Sequence, residues 1–376
     1  MSAKLQISNS THSASELATI LADYTSIALA SHRQLYGGYS GSSYQVDLED
    51  GTKYVLKVSN GYTADHAEFM CRTTYHLSLA GYKLCCLPIP KSNKGDDNFK
   101  FVFIKEQNNV PAFLLTHVEG TQADKVMREN PYVATTVMRG IGFGLGKMHQ
   151  SVVINNKDVA KGLGLRWYGT DGGCCDIQDQ IDGKILDKIS SSTAGQHRFV
   201  PFYRHELAEL KSEMELSTDG TFGLGITHGD PFADNVLVNP KTGELASFID
   251  IEDICVGPLL FDLACCAIGC CFKEAGDDTQ KYPQVLDFGL LEALLGGYST
   301  GRKLPSLEKQ HFVQYMRLTL LCNCSWRFVK FNVDNTEDVP EEAKESYLEL
   351  RRRIDYLHDS DVIQKIQSIL EEPPAE

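Results

Sequence analysis

The chain has 376 residues, of which 42% are hydrophobic, and it carries a formal net charge of −14 at pH 7. This length allows a substantial buried core and one to three domains. The acidic balance argues against a nucleic-acid-binding protein, which would show a basic patch or stripe, so we expect no nucleic-acid partner.

Twelve cysteines raise the question of disulfides or a metal site. Eight of them form adjacent pairs, namely Cys85 and Cys86, Cys174 and Cys175, Cys265 and Cys266, and Cys270 and Cys271. Several lie in apolar runs, and no C-x-x-C pair recurs at zinc-site spacing. We therefore expect buried free thiols in a reducing compartment, which predicts a cytoplasmic protein; a redox or metal role is the alternative.

Neither the start of the chain nor its most apolar segment has the pattern of a membrane or secretion signal. The first six residues lack the apolar core of a signal peptide. The most apolar segment, residues 255–272, is interrupted by Gly257, Pro258 and Asp262. We expect a buried helix in that segment and no membrane partner.

Near the N-terminus, residues 35–46 have the pattern of a strand, a glycine-rich turn and a second strand. Small residues in such a turn let backbone N–H groups approach phosphate oxygens. The candidate phosphate-binding residues are Gly37, Gly38, Ser40, Gly41 and Ser42. A plain hairpin turn is the alternative explanation.

A lysine lies inside the next apolar strand, residues 53–58. The alternation along this strand places Leu56 and Val58 on one face, and Val55 and Lys57 on the other. Kinases place the lysine that contacts the α- and β-phosphates of ATP on such a strand. A lysine that reaches solvent from a sheet edge is the alternative.

A helix is predicted over residues 65–80, and Glu68 within it is the expected partner of Lys57; a solvated helix acid is the alternative. Two strands, residues 99–105 and 112–118, follow. The second ends where a hinge between two lobes would bind adenine through backbone groups, which makes Thr116 and Val118 the candidate contacts.

The most informative segment has the sequence ITHGDPFADNVLV, residues 226–238. Asp230 and Asn235 lie at the two ends of a short loop, and a predicted hairpin then returns the chain to Asp250 beside Asn235. Phosphoryl transfer needs a carboxylate that accepts the proton of the attacking hydroxyl, here Asp230. It also needs oxygen ligands for Mg²⁺, here Asn235 and Asp250. An ordinary surface loop is the alternative.

Four further residues near this segment have expected roles. His228 is predicted to brace the loop and not to act as the base. Asp262, an acid inside an apolar helix, needs polar partners, and the loop backbone or His228 is expected to supply them. Glu252 and Asp253 either meet a substrate ammonium group or flank the metal loop.

The remaining sequence is mostly helical in pattern. Helices are predicted over residues 284–296, 306–332 and 340–358, and a mixed-charge helical run over residues 202–216. Four arginines are candidates for a forked pair of bonds to a substrate carboxylate, and for Arg317 and Arg327 surface or structural pairing is the default. They are Arg166, Arg204, Arg317 and Arg327.

Taken in order, these motifs resemble the aminoglycoside phosphotransferase and choline kinase superfamily. The resemblance rests on HGDPFADNVL at residues 228–237, GPLLFDLA at residues 257–264, and the N-terminal pattern that ends in YVLK at residues 54–57. Within the superfamily the sequence is most similar to the bacterial-type homoserine kinases. The string YVLKVSN at residues 54–60 is also similar to hydroxylysine kinases.

The resemblance implies an α+β, two-lobed protein-kinase-like fold. An N-terminal nucleotide-binding lobe, with an antiparallel sheet and one main helix, would occupy residues 1–118. A larger, mostly helical lobe for catalysis and substrate binding would occupy residues 119–376, with a helical insertion at about residues 151–225.

The resemblance also implies the chemistry. ATP and Mg²⁺ would be the cofactors, and a small molecule with a hydroxyl group would be the partner. The expected acceptor is an amino-acid alcohol, homoserine foremost. Hydroxylysine, choline, ethanolamine, a sugar or an aminoglycoside are the alternatives, and a non-catalytic pseudokinase is the alternative of another class.

Overall fold

The structure is a computed structural model of the chain. It describes residues 12–35, 41–59, 61, 63–92, 99–105, 110–154, 156–165, 167, 177–214, 222–276, 281–334 and 339–371. Within these residues, an antiparallel sheet with one long helix precedes a larger, mainly helical part.

The strands are β1 (Leu29–Leu35), β2 (Gly41–Leu48), β3 (Lys53–Ser59), β4 (Val102–Lys105), β5 (Val110–Thr116), β6 (Thr121–Gln122), β7 (Leu224–Thr227), β8 (Val236–Val238), β9 (Leu245–Phe248), β10 (Cys255–Pro258), β11 (Phe272–Glu274) and β12 (Gln284–Leu286). The first helices are α1 (Ala14–Leu21), α2 (Ala64–Leu79), α3 (Ala123–Glu129), α4 (Ala134–Ser151), α5 (Lys157–Gly162), α6 (Ile177–Ile181), α7 (Lys184–Ser190) and α8 (Phe199–Glu213). The later helices are α9 (Leu259–Cys270), α10 (Phe288–Gly301), α11 (Ser306–Gln310), α12 (Phe312–Val329), α13 (Glu341–Lys344), α14 (Tyr347–Leu357) and α15 (Ser360–Glu371). Short 3₁₀ turns cover Pro131–Val133, Ala233–Asn235 and Ile251–Asp253, and α12 continues into a π-helical turn, Lys330–Asp334.

The N-terminal sheet has the strand order β1-β2-β3-β5-β4, with every neighbouring pair antiparallel. The predicted alternation along β3 is confirmed. Leu56 and Val58 are buried in a small cluster under α1, whereas Val55 packs against the main hydrophobic cluster on the opposite face. The strand therefore presents Lys57 on the face that Val55 shares, towards the rest of the molecule.

The main hydrophobic cluster extends across residue 118, where the sequence predicts a boundary between two lobes. It contains Met70 and Phe113 from the N-terminal part together with Phe248 and Phe261 from the C-terminal part. The two parts are thus packed against each other, and the division at residue 118 stays a prediction.

Helices α4 and α10 approach each other closely because glycines line their contact. A Cβ atom on Gly142 would collide with the carbonyl oxygen of Leu294, and one on Gly146 would lie 2.6 Å from the carbonyl oxygen of Tyr298. This close approach sets the position of two buried polar side chains, His149 on α4 and Tyr298 on α10, which matter below.

Several sequence expectations need correction in the C-terminal part. Residues 284–286 form strand β12, paired with β11, and helix α10 begins only after Asp287, whose side chain accepts hydrogen bonds from the first-turn N–H groups. The expected helix over 306–332 is interrupted at His311. The helical run predicted at 202–216 is α8, which is shifted by three residues towards the N-terminus.

Other expectations are confirmed within the described residues. The hairpin of β8 and β9 forms as predicted, and the apolar segment that contains Asp262 is the buried helix α9. All ten described cysteines are free and buried, and Cys174 and Cys175 lie outside the described residues. None of the described helices is long and apolar enough to cross a membrane.

Candidate active site

The loop that follows β7 is held by the imidazole of His228. The Nε2 atom of His228 lies 2.9 Å from the carbonyl oxygen of Ile249, and its Nδ1 atom accepts the N–H of Asp230 at 3.3 Å. Both contacts suit a neutral ring that carries its proton on Nε2, and burial lowers the pKa of His228. Because both nitrogens are occupied by backbone groups, His228 braces the loop, as expected from the sequence.

Gly229 has a backbone angle that favours glycine, φ +89°. A Cβ atom here would also collide with the carbonyl oxygen of Asp253 and lie 2.6 Å from its Cβ. The loop therefore needs glycine for two reasons, its left-handed conformation and the close approach of the Asp253 backbone.

Asp262 supports the same loop from helix α9. Its carboxylate accepts the backbone N–H groups of His228 and Gly229, each at 2.8 Å, and contacts Nε2 of His149 at 2.9 Å. Burial opposes the charged carboxylate, but these hydrogen bonds outweigh it and lower the pKa of Asp262. The structural role predicted for Asp262 is confirmed.

The support continues away from the loop through side chains that the sequence did not reveal. His149 Nδ1 lies 2.8 Å from the hydroxyl of Tyr298, which also accepts a bond from Arg302 at 3.1 Å. Arg302 in turn makes two bonds of 2.6 Å to Glu308. No signal in the sequence indicated this series of hydrogen bonds, because the bonds depend on how closely α4 and α10 pack.

Asp230 and Asn235 are brought together as the motif predicts. The Nδ2 atom of Asn235 donates to the Asp230 carboxylate at 2.8 Å and to its carbonyl oxygen at 2.9 Å. Burial, and then the negative charges of Asp253, Asp250 and Asp234, raise the pKa of Asp230 well above its usual range. A carboxylate with a raised pKa is a better proton acceptor.

Asp250 lies at the end of the hairpin, beside Asn235. The N–H of Ile249 donates to the carbonyl oxygen of Asn235 at 2.9 Å, which joins the two segments. Asp250 is the one non-glycine residue with a positive φ among the described residues, at 61°. Such strain is concentrated at functional sites. The carboxylate of Asp250 and the side-chain oxygen of Asn235, whose nitrogen faces Asp230, are hard donors that fit a hard divalent cation.

The expected ion pair of Lys57 with Glu68 is wrong for this structure. Lys57 Nζ lies 2.7 Å from Asp250 and 2.6 Å from Glu252. The carboxylate of Glu68 is instead used by the side chain of Arg72 at 2.9 Å and by two backbone N–H groups. Glu68 therefore holds α2 to the segment before β4, and Glu252 is a site residue that the sequence analysis left undecided.

The candidate nucleotide contacts are only partly described. Gly37, Gly38 and Ser40 lie outside the described residues, whereas Gly41 and Ser42 begin strand β2. A Cβ atom on Gly41 would lie 2.5 Å from the carbonyl oxygen of Val58, so glycine is needed where β2 meets β3. A phosphate-binding role for these residues stays a prediction.

The candidate hinge residues differ in what they offer. The N–H of Thr116 donates to the carbonyl oxygen of Leu87 at 2.8 Å, and its hydroxyl accepts the N–H of Leu87 at 2.8 Å. The backbone N–H of Thr116 is therefore already used, which leaves its carbonyl oxygen as the backbone group that could meet adenine. Val118 follows the end of β5 and is half-buried, and its contact with adenine also stays a prediction.

Two of the four candidate carboxylate-binding arginines are engaged with other groups of the protein. Arg317 is 4% exposed and is surrounded by three glutamates of α8, which are Glu206, Glu209 and Glu213. Arg327 bonds to the carbonyl oxygen of Ser346 and to Glu349. Arg204 is exposed, and Arg166 lies outside the described residues. The default assignment to structural ion pairs is confirmed for Arg317 and Arg327.

A model of the phosphotransferase enzyme family matches residues 31–299. The chain belongs to this family. The match covers the N-terminal sheet, the loop that contains Asp230, the Asp250 hairpin and helix α9, which are the parts that build the site described above.

Solved structures with the same fold share little sequence with this phosphotransferase. A microcompartment-associated aminopropanol kinase is 13% identical with a TM-score of 0.61, and the match covers 95% of this chain and 100% of that one. An amicoumacin kinase in complex with AMP-PNP and Ca²⁺ is 13% identical with a TM-score of 0.59, covering 86% and 88%. An ethanolamine kinase of Plasmodium vivax is 12% identical with a TM-score of 0.54, covering 89% and 83%. The α+β, protein-kinase-like fold expected from the sequence is confirmed.

Proposed function

We propose that the chain is an ATP-dependent kinase that phosphorylates a hydroxyl group of a small molecule, most specifically the amino-acid alcohol homoserine. The observation that carries the proposal is the loop in which Asn235 binds the Asp230 carboxylate at 2.8 Å while the backbone places Asp250 beside it. The family match supports phosphoryl transfer as the reaction. The free buried thiols support a reducing compartment such as the cytoplasm.

The proposed mechanism is direct transfer without a covalent enzyme intermediate. Asp230 orients the acceptor hydroxyl and takes its proton as the oxygen forms a bond to the γ-phosphorus of ATP, and the bond to the ADP oxygen breaks. Asn235 and Asp250 would hold Mg²⁺, which neutralises phosphate charge when bound. Lys57 would contact the α- and β-phosphates of ATP, and the backbone at Thr116 and Val118 would meet adenine.

Homoserine as acceptor is supported by the sequence resemblance around residues 228–237 and 257–264. A second candidate is an amino alcohol without a carboxylate. It is favoured by the engagement of Arg317 and Arg327 with glutamates, because neither can then bind a substrate carboxylate. Aminopropanol and ethanolamine kinases are also among the proteins that share the fold.

The test is an ADP-release assay with Mg²⁺-ATP against homoserine, hydroxylysine, aminopropanol, ethanolamine, choline, a sugar and an aminoglycoside. The wild-type chain is run beside Asp230→Ala, which should lose most turnover but retain nucleotide binding. As a matched control, Asp361→Ala removes an exposed carboxylate of α15 and should change nothing.

Each outcome decides between the candidates. Homoserine-dependent turnover that is lost in Asp230→Ala supports the proposed reaction and acceptor. Turnover with aminopropanol or ethanolamine, and none with homoserine, would support the same reaction with an amino alcohol as the acceptor. ATP binding without turnover on any compound favours the pseudokinase, and full turnover in Asp230→Ala overturns the mechanism.

A further inference from the structure

We propose that Glu252, and not Glu68, is the carboxylate that positions Lys57 for nucleotide binding. This inference rests on the proposed kinase function, because it assigns Lys57 to the phosphates of ATP. It departs from the expected pairing of the strand lysine with an acid of the following helix, and it rests on where the two glutamates make their bonds.

Lys57 and Glu252 form a close and largely enclosed ion pair. The Nζ atom of Lys57 lies 2.6 Å from Oε1 of Glu252, and the two side chains are only 15% and 21% exposed. An ion pair that is so sheltered is weakly screened and fixes the position of both groups more firmly than a surface pair. The bond joins strand β3 of the N-terminal sheet to the 3₁₀ turn Ile251–Asp253.

Glu68 is committed to other partners, so it cannot replace Glu252 without a loss. Its Oε1 atom accepts the N–H of Lys100 at 3.0 Å and the side chain of Arg72 at 2.9 Å, and its Oε2 atom accepts the N–H of Phe101 at 2.9 Å. Glu68 is 4% exposed. Turning its carboxylate towards Lys57 would leave backbone N–H groups without these partners in a buried region, which is costly.

The proposed role of Asp250 explains why a second carboxylate is needed at Lys57. Asp250 also contacts Lys57, at 2.7 Å, but it is the proposed metal ligand. A carboxylate that binds a divalent cation has less negative charge to offer an ammonium group. Glu252, two residues further on, provides a second carboxylate for Lys57.

The turn that carries Glu252 is well suited to hold it in place. It starts directly after the left-handed backbone of Asp250, and Ile251 within it is 1% exposed in the main hydrophobic cluster. Because Ile251 anchors the turn, the backbone position of Glu252 is set by the fold.

The test is equilibrium binding of Mg²⁺·AMP-PNP, which needs no acceptor, to the wild-type chain, Glu252→Gln, Lys57→Met and the double variant. We expect Glu252→Gln to weaken binding roughly tenfold in the wild-type background, because Lys57 loses its orientation, and to have no weakening effect in the Lys57→Met background. Glu244→Gln, an exposed acid on the β8–β9 hairpin, is the matched control and should leave binding unchanged.

The variant Glu68→Gln distinguishes the role of Glu68 from the role of Glu252. It should lower Tm while the folded variant binds Mg²⁺·AMP-PNP with wild-type affinity. The proposal is overturned if Glu252→Gln tightens binding equally in both backgrounds, since Glu252 would then be only a nearby negative charge. It is also overturned if the effect of Glu68→Gln on nucleotide binding, and not that of Glu252→Gln, depends on the presence of Lys57. A wild-type chain that does not bind the nucleotide would overturn it as well.

The binding cycle and the turnover assay can fail separately. Coupling between Glu252 and Lys57 without turnover on any acceptor would support this inference and count against the proposed kinase function. Acceptor turnover without coupling would keep the kinase function and remove Glu252 from its proposed role.

Discussion

The carboxylate of Asp262 accepts the backbone N–H of Gly229 at 2.8 Å, across 33 residues of sequence, and so fixes the loop that presents Asp230. We predict that Asp262→Asn destabilises the fold by about 3 kcal/mol, because one amide donor would face a backbone N–H in a buried network. Turnover should fall roughly a hundredfold as the loop shifts. Thermal unfolding and kcat measure the two effects.

The control for Asp262→Asn is Glu292→Gln, which changes an exposed acid on α10. It should leave Tm and kcat unchanged. A stable Asp262→Asn protein with wild-type kcat would contradict the view that this carboxylate holds the loop.

Gly229 offers a second test of the loop. Gly229→Ala should lower both stability and kcat, because the added methyl group meets Asp253 and the backbone angle disfavours any side chain. The matched control is Gly51→Ala. Gly51 has a similar φ, +84°, but a Cβ atom there has no neighbour within 4 Å.

The difference between the two alanine variants isolates the close approach to Asp253 from the cost of the backbone angle. The angle alone should cost about 1 kcal/mol in each. Equal losses of stability and no loss of kcat in Gly229→Ala would show that the contact with Asp253 does not shape the loop.

Local patterns predicted much of this molecule from sequence. The alternation along residues 53–58 gave the two faces of β3, because one face packs under α1 and the other against the main cluster. The turn residues between β8 and β9 gave the hairpin, and with it the approach of Asp250 to Asn235. Such features depend on neighbours in the chain, which a single sequence contains.

The sequence did not predict which partner a side chain binds when the partner lies far away along the chain. Glu68 is four residues from Arg72 but was expected to pair with Lys57; the backbone N–H groups of Lys100 and Phe101, more than thirty residues away, helped to decide otherwise. The contact of His149 with Tyr298 depends on the packing of two helices, and the short strand β12 depends on its partner β11. Apart from Arg72, these partners are distant in the chain and leave no mark in the local sequence.

The proposed metal role of Asp250 predicts that Asp250→Ala loses the part of the nucleotide affinity that depends on the cation. Asp250→Ala should weaken binding of AMP-PNP in the presence of Mg²⁺, and the addition of EDTA should then have little further effect. For the wild-type chain, EDTA should weaken binding strongly, because the cation would link the nucleotide phosphates to the protein. Calorimetric titration with and without EDTA measures this difference.

Asp361→Ala again serves as the control for the removal of an acid, because Asp361 is exposed on α15. If EDTA weakens the binding of nucleotide to Asp250→Ala as much as it does for the wild-type chain, then Asp250 does not hold the cation. The αL conformation of Asp250 would in that case need another explanation.

Substitution of Arg317 tests whether this buried arginine stabilises the helical part or binds the substrate. Its side chain is 5% exposed, and its guanidinium bonds to Glu206, Glu209 and Glu213 at 2.7 to 3.1 Å. Arg317→Ala would leave these carboxylates close together without their shared cation, and we expect a loss of about 3–5 kcal/mol in stability. The Tm should fall by several degrees, whereas KM for the acceptor, measured below the new Tm, should be unchanged.

Arg352→Ala removes an exposed arginine from the neighbouring helix α14 and should alter neither quantity. A rise in KM for the acceptor in Arg317→Ala, with kcat and Tm preserved, would instead assign Arg317 to a substrate carboxylate. That result would favour an amino-acid acceptor such as homoserine over an amino alcohol, because only the former has a carboxylate for a guanidinium to bind.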